Sequence, residues 1–142
     1  METGFIKKSV VVRTDIDNTW NYLSKISSLN WLENHKSTKF LSQKKRGVGA
    51  IRLISFEDGS NVEERIVGWH PKKHFSYIAT SGLPLDSYHA TISMNKIESG
   101  VKIVWESYFS SNEEKSDFNT FTKFLSQFYV SSLRNLKVEL EK

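Results

Sequence analysis

The stretch SDFNTFTKFLSQFYVSSLRNLKVELE, residues 116–141, decides how the rest of the chain is read. Phe118, Phe121, Leu125, Phe128, Tyr129, Leu133, Leu136 and Leu140 recur at steps of three and four, the spacing of one face of an α-helix. The spacing predicts one long amphipathic helix, and its apolar stripe needs an equally long apolar surface to lie on. Residues 37–109 supply it. There, alternating runs are separated by the turn signals KKRGVG, EDGSN, HPKK, SGLPLD and ESG. Connections this short require antiparallel neighbours, so the region reads as a meander of hairpins. The run YHATISMNKI, residues 88–97, shows the division of faces: Tyr88, Ala90, Ile92 and Met94 on one side, His89, Thr91, Ser93 and Asn95 on the other. The long helix is expected to cover the first face.

Ahead of the meander, FIKKSVVVRT (5–14) reads as a first strand. Asp17 is then expected as a helix N-cap before an apolar stripe at Trp20, Leu23 and Ile26, and a second short helix or turn is expected over SSLNWLEN. The sum is an α+β architecture in which a terminal helix lies across a concave antiparallel sheet, an arrangement that often leaves a hollow between the two.

Composition narrows the function classes. With 142 residues the chain is long enough to bury a core or enclose a cavity without staples, and residues 1–142 read as one domain. The absence of cysteine excludes disulfides, thiolate nucleophiles and cysteine-ligated metals. The opening METGFIKKSVVVRTD has too short an apolar run for a signal peptide, and no span approaches about 18 apolar residues, so a cytoplasmic protein without stable membrane insertion is expected. The net charge of +4 is concentrated at Lys44, Lys45, Arg46 and at Lys72, Lys73, beside turns and without interleaved aromatics, which points to solvated loops and no nucleic-acid partner. His70 and His74 flank a turn around Pro71, and His89 lies on a polar strand face; no metal site and no cofactor is expected. No serine has a recognisable base partner.

Two carboxylates interrupt apolar faces. In NVEERIVGWH (61–70), Glu64 shares a face with Val62, Ile66 and Gly68, opposite Glu63, Arg65, Val67 and Trp69. In KIVWESYF (102–109), Glu106 shares a face with Val104 and Tyr108, opposite Ile103, Trp105 and Ser107. Both faces of the second strand carry large apolar groups, so alternation does not decide which is inward. A buried carboxylate must be paired, hydrogen-bonded or hydrated. Two inward carboxylates, with Tyr77 and Tyr88 nearby, would be the few polar groups of an apolar small-molecule pocket. The alternative is pairing with Arg or Lys on a solvated face.

The runs GVGAIRLISFEDGSNVEERIVGWHPKKHFSYIATSGLPLDSYHATISM and VKIVWESYF resemble the START-like, helix-grip superfamily in its polyketide cyclase/dehydrase and lipid-transport branch, with its Gly-x-x-Arg segment, Glu-Arg-Leu strand, Tyr after a Leu-Pro turn and late Trp or Glu strand. The resemblance covers nearly the whole chain. It implies about seven antiparallel strands wrapped around the C-terminal helix, with two short helices after the first strand. The chain is also similar to the plant abscisic acid receptors of that superfamily: Glu64 in EERI, Tyr88 in DSYHA and Glu106 in WESYF match pocket positions, and Phe121 and Leu125 match pocket-facing helix positions. It departs from them at the gate (SFEDG, 55–59), at the latch (only LPL, 83–85), at Leu32 where a carboxylate-binding lysine is expected, and at Tyr129 in place of an asparagine. A hormone-receptor role is therefore not supported, and an acidic ligand lacks its counter-ion.

The combined expectation is a protein, monomer or weak homodimer, that binds a hydrophobic small molecule such as a lipid, polyketide or aromatic metabolite. Glu64, Tyr77, Tyr88 and Glu106 are the expected polar contacts. Trp31, Ile51, Leu53, Ala90, Phe121, Leu125 and Tyr129 are the expected wall. Two alternatives stand beside it: a cyclase or dehydratase using Glu64, Glu106 or Tyr88 as acid or base, and a protein-interaction module like the superfamily's chaperone activators.

Overall fold

A computed structural model describes residues 1–142. Seven strands, β1 (Glu2–Val12), β2 (His35–Phe40), β3 (Ile51–Phe56), β4 (Asn61–His70), β5 (His74–Ser81), β6 (Ser87–Ile97) and β7 (Gly100–Ser111), form one antiparallel sheet in the order β1-β7-β6-β5-β4-β3-β2. Helix α1 (Ile16–Leu23) follows β1, and α2 (Lys115–Leu140) closes the chain. This is the helix-grip arrangement: the sheet curls around α2, and one cluster of 26 buried apolar residues fills the space between them.

The 3.6-residue stripe of the C-terminal segment performs as its spacing requires. Phe118, Leu125, Tyr129, Leu133 and Leu136 are buried, while Phe121, Phe128 and Leu140 pack on the margin of the core. On β6, Tyr88, Ala90, Ile92 and Met94 all point into the core. Two local expectations are corrected. The cap of α1 is Asp15, whose side chain accepts the Asn18 N–H; Asp17 sits in the first turn instead. SSLNWLEN takes the turn form of the two expected for it, so one short helix rather than two follows β1. These turns are tied to α2 by the Glu33 N–H donating to Ser132 Oγ at 2.9 Å and by Asn135 Nδ2 donating to the Trp31 carbonyl at 3.2 Å.

A bulge in β4 changes the face of one tryptophan. The register skips between Ile66 and Gly68, so Ile66 pairs with Tyr77 and Trp69 with Phe75. The extra residue reverses the alternation beyond it. Trp69, which strict alternation puts with the charged face, therefore packs on Trp20 with ring centroids 5.0 Å apart and closes the α1 end of the core.

Candidate functional site

Between the sheet and the N-terminal half of α2 lies a cavity of about 250 Å³, lined by 25 residues of which 17 are apolar. Its outer part is framed by the β3–β4 hairpin (Phe56, Asp58, Ser60), the β5–β6 loop (Gly82, Leu83, Pro84) and Phe121, Phe124 and Phe128 of α2. The hairpin is anchored by the Glu57 N–H donating to the Asn34 carbonyl, and the Phe56 and Phe128 rings meet edge-on at 5.8 Å. The loop depends on Gly82: its φ of +100° is open to glycine, and a Cβ there would lie 2.0 Å from the Asn61 carbonyl oxygen.

At the inner wall stand Arg52 from β3, Glu64 from β4, Tyr77 from β5, Tyr88 from β6 and Trp105 from β7, five adjacent strands each contributing one inward side chain. Arg52 and Glu64 face each other in the β3–β4 register and are 3% and 7% exposed. The guanidinium donates from Nε (3.0 Å) and Nη2 (2.8 Å) to the same Glu64 oxygen, Oε1, and from Nη1 (2.8 Å) to the Ile26 carbonyl. Its face lies 5.0 Å from the Tyr77 ring centre. The second carboxylate oxygen, Oε2, has no protein partner. Burial pushes the Glu64 carboxyl above its ordinary range, and Arg52 pulls it partly back.

A hydroxyl network extends this wall. Trp105 Nε1 donates to the Tyr77 hydroxyl at 3.0 Å, and the Tyr88 hydroxyl bonds that of Tyr129. The Trp105 ring stacks on Tyr129 at 3.8 Å and meets Trp31 edge-on at 5.4 Å. Burial raises all three phenols above their ordinary values, which keeps them as neutral hydroxyls at physiological pH and makes none of them a base.

The expected site residues divide clearly. Trp31, Glu64, Tyr77, Tyr88, Phe121 and Leu125 line the cavity. Tyr129 lies directly behind it, completely buried, against the lining residues Tyr88 and Trp105. Ala90 points inward but falls outside the lining. Ile51 and Leu53 do not line the cavity: they alternate with the inward pair Arg52 and Ile54 and so occupy the outer face of β3. Glu106 is also corrected. In β7 the inward side chains are Ile103, Trp105, Ser107 and Phe109, while Glu106 lies on the outer face beside Lys7 and Thr91 of the adjoining strands, next to Tyr108, which is 59% exposed and packs on Phe5. The carboxylate of VWESYF is tolerated because it faces away from the cavity.

Two inner-wall residues were missed by the sequence reading, Trp105 and Arg52. The EDGS hairpin places β3 and β4 in a register that sets Arg52 opposite Glu64, and that signal is readable from the turn. Leu32 lines the cavity from the turns before β2 as an apolar group, and the buried cation comes instead from β3. His70 and His74 stack at the β4–β5 turn, 4.4 Å apart, and no group of three or more His, Asp or Glu side chains is placed to hold a metal.

A family model described as polyketide cyclase / dehydrase and lipid transport matches residues 5–141. No curated protein matches the sequence. Among solved structures, the fold is similar to that of an uncharacterized protein from Bacillus thuringiensis (TM-score 0.80, 20% identity, covering 96% of this chain and 98% of that one). It is similar also to the Zhui aromatase/cyclase from Streptomyces sp. R1128 (0.82, 10%, 98% and 94%) and to the major latex-like protein 151 of Panax ginseng (0.79, 11%, 99% and 99%). At these identities the likeness is one of fold.

Proposed function

The chain belongs to the polyketide cyclase / dehydrase and lipid transport family, and from that premise we propose that residues 1–142 form a binding domain for a hydrophobic small molecule held between the sheet and α2. The observation that carries the reading is the cavity of about 250 Å³ with its predominantly apolar wall and the Arg52–Glu64 pair set into its inner end. Well-packed cores seldom leave voids larger than a water molecule, and a dry cavity of about 150 Å³ already accepts benzene. The size suits a compound of one or two rings or a short aliphatic chain. Three aromatic side chains of α2, Phe121, Phe124 and Phe128, make the outer wall, and Phe124 is 59% exposed there. No helix is long and apolar enough to cross a membrane.

Native mass spectrometry of the protein incubated with a panel of uncharged aromatic and aliphatic compounds tests the proposal. A one-to-one complex that survives desolvation supports it, and absence of any complex across the panel refutes it.

A second reading, as an enzyme acting on a polyketide or other carbonyl compound, is favoured by one observation: Glu64 combines a raised carboxyl pKa with an unshared oxygen at the cavity wall, which is what a general acid or base needs. Turnover that disappears in Glu64→Gln while ligand affinity survives distinguishes it from simple binding.

A further inference from the structure

Resting on the binding function proposed above, we infer that the cavity selects uncharged, hydroxyl-bearing apolar ligands and rejects carboxylates, because the buried cation at its inner wall is already neutralised and an unshared carboxylate oxygen is left to receive a hydrogen-bond donor.

The argument begins with Arg52. Of the charged side chains lining the cavity, three are carboxylates, Glu33, Asp58 and Glu64, and Arg52 is the one cation. Glu64 Oε1 accepts from Nε and from one of the two Nη2 N–H groups, and the Ile26 carbonyl accepts from one of the two Nη1 N–H groups. The pair as a whole carries no net charge, and a ligand carboxylate placed against it meets Glu64 as closely as it meets Arg52. Asp58 stays ionised at the outer end, since bonds from the Ser60 hydroxyl and N–H hold its carboxyl low, and Glu33 adds a second negative charge. Asp58 is solvent-exposed at the mouth, where water screens its charge, so the rejection of an anion rests on the Arg52–Glu64 pair at the inner wall.

Glu64 Oε2 gives the complementary preference. Both bonds from Arg52 converge on Oε1, so a residue 7% exposed keeps a second charged acceptor with nothing donated to it. Oε2 is not among the fully enclosed side-chain atoms left without a partner, which are Ser24 Oγ and Ser107 Oγ, so it stays accessible to water or to a ligand hydroxyl. No neighbouring side chain other than Arg52 is bonded to this carboxylate. The Tyr88 hydroxyl is engaged with Tyr129, and the Trp105 N–H is engaged with Tyr77. The site therefore offers an apolar slot closed by one strong acceptor, which discriminates by what the ligand donates.

Isothermal titration calorimetry of the full chain at pH 7.5 with 2-naphthol, 2-methylnaphthalene and 2-naphthoate tests this, because the three share a frame and differ in head group. A hydrogen bond to a charged acceptor makes 2-naphthol bind about tenfold or more tightly than 2-methylnaphthalene. The naphthoate binds more weakly than either. Glu64→Gln, which keeps an acceptor for the guanidinium but removes the negative charge, frees Arg52 and moves the selectivity toward naphthoate by about tenfold or more. Equal affinity of naphthol and methylnaphthalene, or a naphthoate that binds the natural chain as tightly as naphthol, overturns the inference while leaving the cavity as a binding site. Failure of all three compounds to bind overturns both.

Discussion

Arg52→Met is the substitution whose consequences the structure specifies most fully. It removes the counter-charge from Glu64, a carboxyl that is 7% exposed and has no other charged partner. Breaking a buried pair by deleting one member costs about 3–5 kcal/mol, since the survivor is left as an uncompensated buried charge. With a urea slope near 2 kcal/mol/M, the unfolding midpoint falls by about 1.5–2.5 M at pH 8. The loss depends on pH, and its direction follows from the carboxyl. In the natural chain burial already raises Glu64 above its ordinary 4.5, and Arg52 is the group that opposes the rise. Tyr77, Tyr88 and Tyr129 face it as neutral phenols and offer no replacement charge. Without Arg52 the folded-state pKa climbs further. A carboxyl whose folded pKa exceeds its unfolded value contributes stability that is complete below the unfolded pKa and lost as pH rises through the folded one. The deficit of Arg52→Met is therefore largest at pH 8 and shrinks toward pH 4.5, where Glu64 is protonated in the variant. What remains there is about 1–2 kcal/mol for the lost bond to the Ile26 carbonyl and the lost packing. In Arg52→Met/Glu64→Leu, where no charge is left to bury, most of the pH 8 deficit is recovered, a non-additivity expected of directly contacting groups. A deficit below about 1 kcal/mol at pH 8, or one of the same size at both pH values, refutes the account of this pair.

Three further outcomes follow from the same wall. Tyr88→Phe and Tyr129→Phe each leave the partner's hydroxyl buried without its bond, at about 1–3 kcal/mol, whereas the double substitution costs less than the sum of the two; chemical denaturation of all three variants shows whether the hydroxyls are coupled. Gly82→Ala forces a side chain onto a φ of +100° and into the Asn61 carbonyl, and a cost of about 1–3 kcal/mol lowers the calorimetric Tm by roughly 3–10 °C in a chain of this length. Leu125→Trp fills the cavity from α2; calorimetric titration with 2-naphthol then shows at least a tenfold loss of affinity, while thermal unfolding remains cooperative.

The sequence was legible where only one face of an element was apolar. The stripe of α2 and the alternation of β6 assign their buried residues directly, because polar side chains occupy most of the other positions, Phe124 and Val138 of α2 being exposed exceptions. β7 resisted for the opposite reason: Val104 and Tyr108 are as apolar as Ile103 and Trp105, and the outer pair is accounted for only by contacts such as Tyr108 with Phe5, which come from pairing with a strand about a hundred residues away in sequence. The same effect misplaced Ile51 and Leu53. Two large aliphatic groups flank an arginine, and hydropathy alone assigns the arginine to solvent, yet its register partner Glu64 makes burial possible. Trp69 needed the β4 bulge, which has no signal in the alternation before it. Glu64, Tyr77 and Tyr88 were found because an apolar strand face interrupted by a single polar group is visible in one dimension; Arg52 required the hairpin between β3 and β4 to be drawn first.

The central claim, that the hollow between sheet and α2 is a ligand site, is tested most directly by the four tryptophans. Trp31 and Trp105 line the cavity, while Trp20 and Trp69 pack against each other at the α1 end of the core, outside it. Proton–nitrogen spectra of the ¹⁵N-labelled protein resolve the four indole N–H groups during titration with 2-naphthol. The account predicts saturable shifts at Trp31 and Trp105 with Trp20 and Trp69 unmoved. Shifts confined to Trp20 and Trp69, or none at any of the four, contradict it.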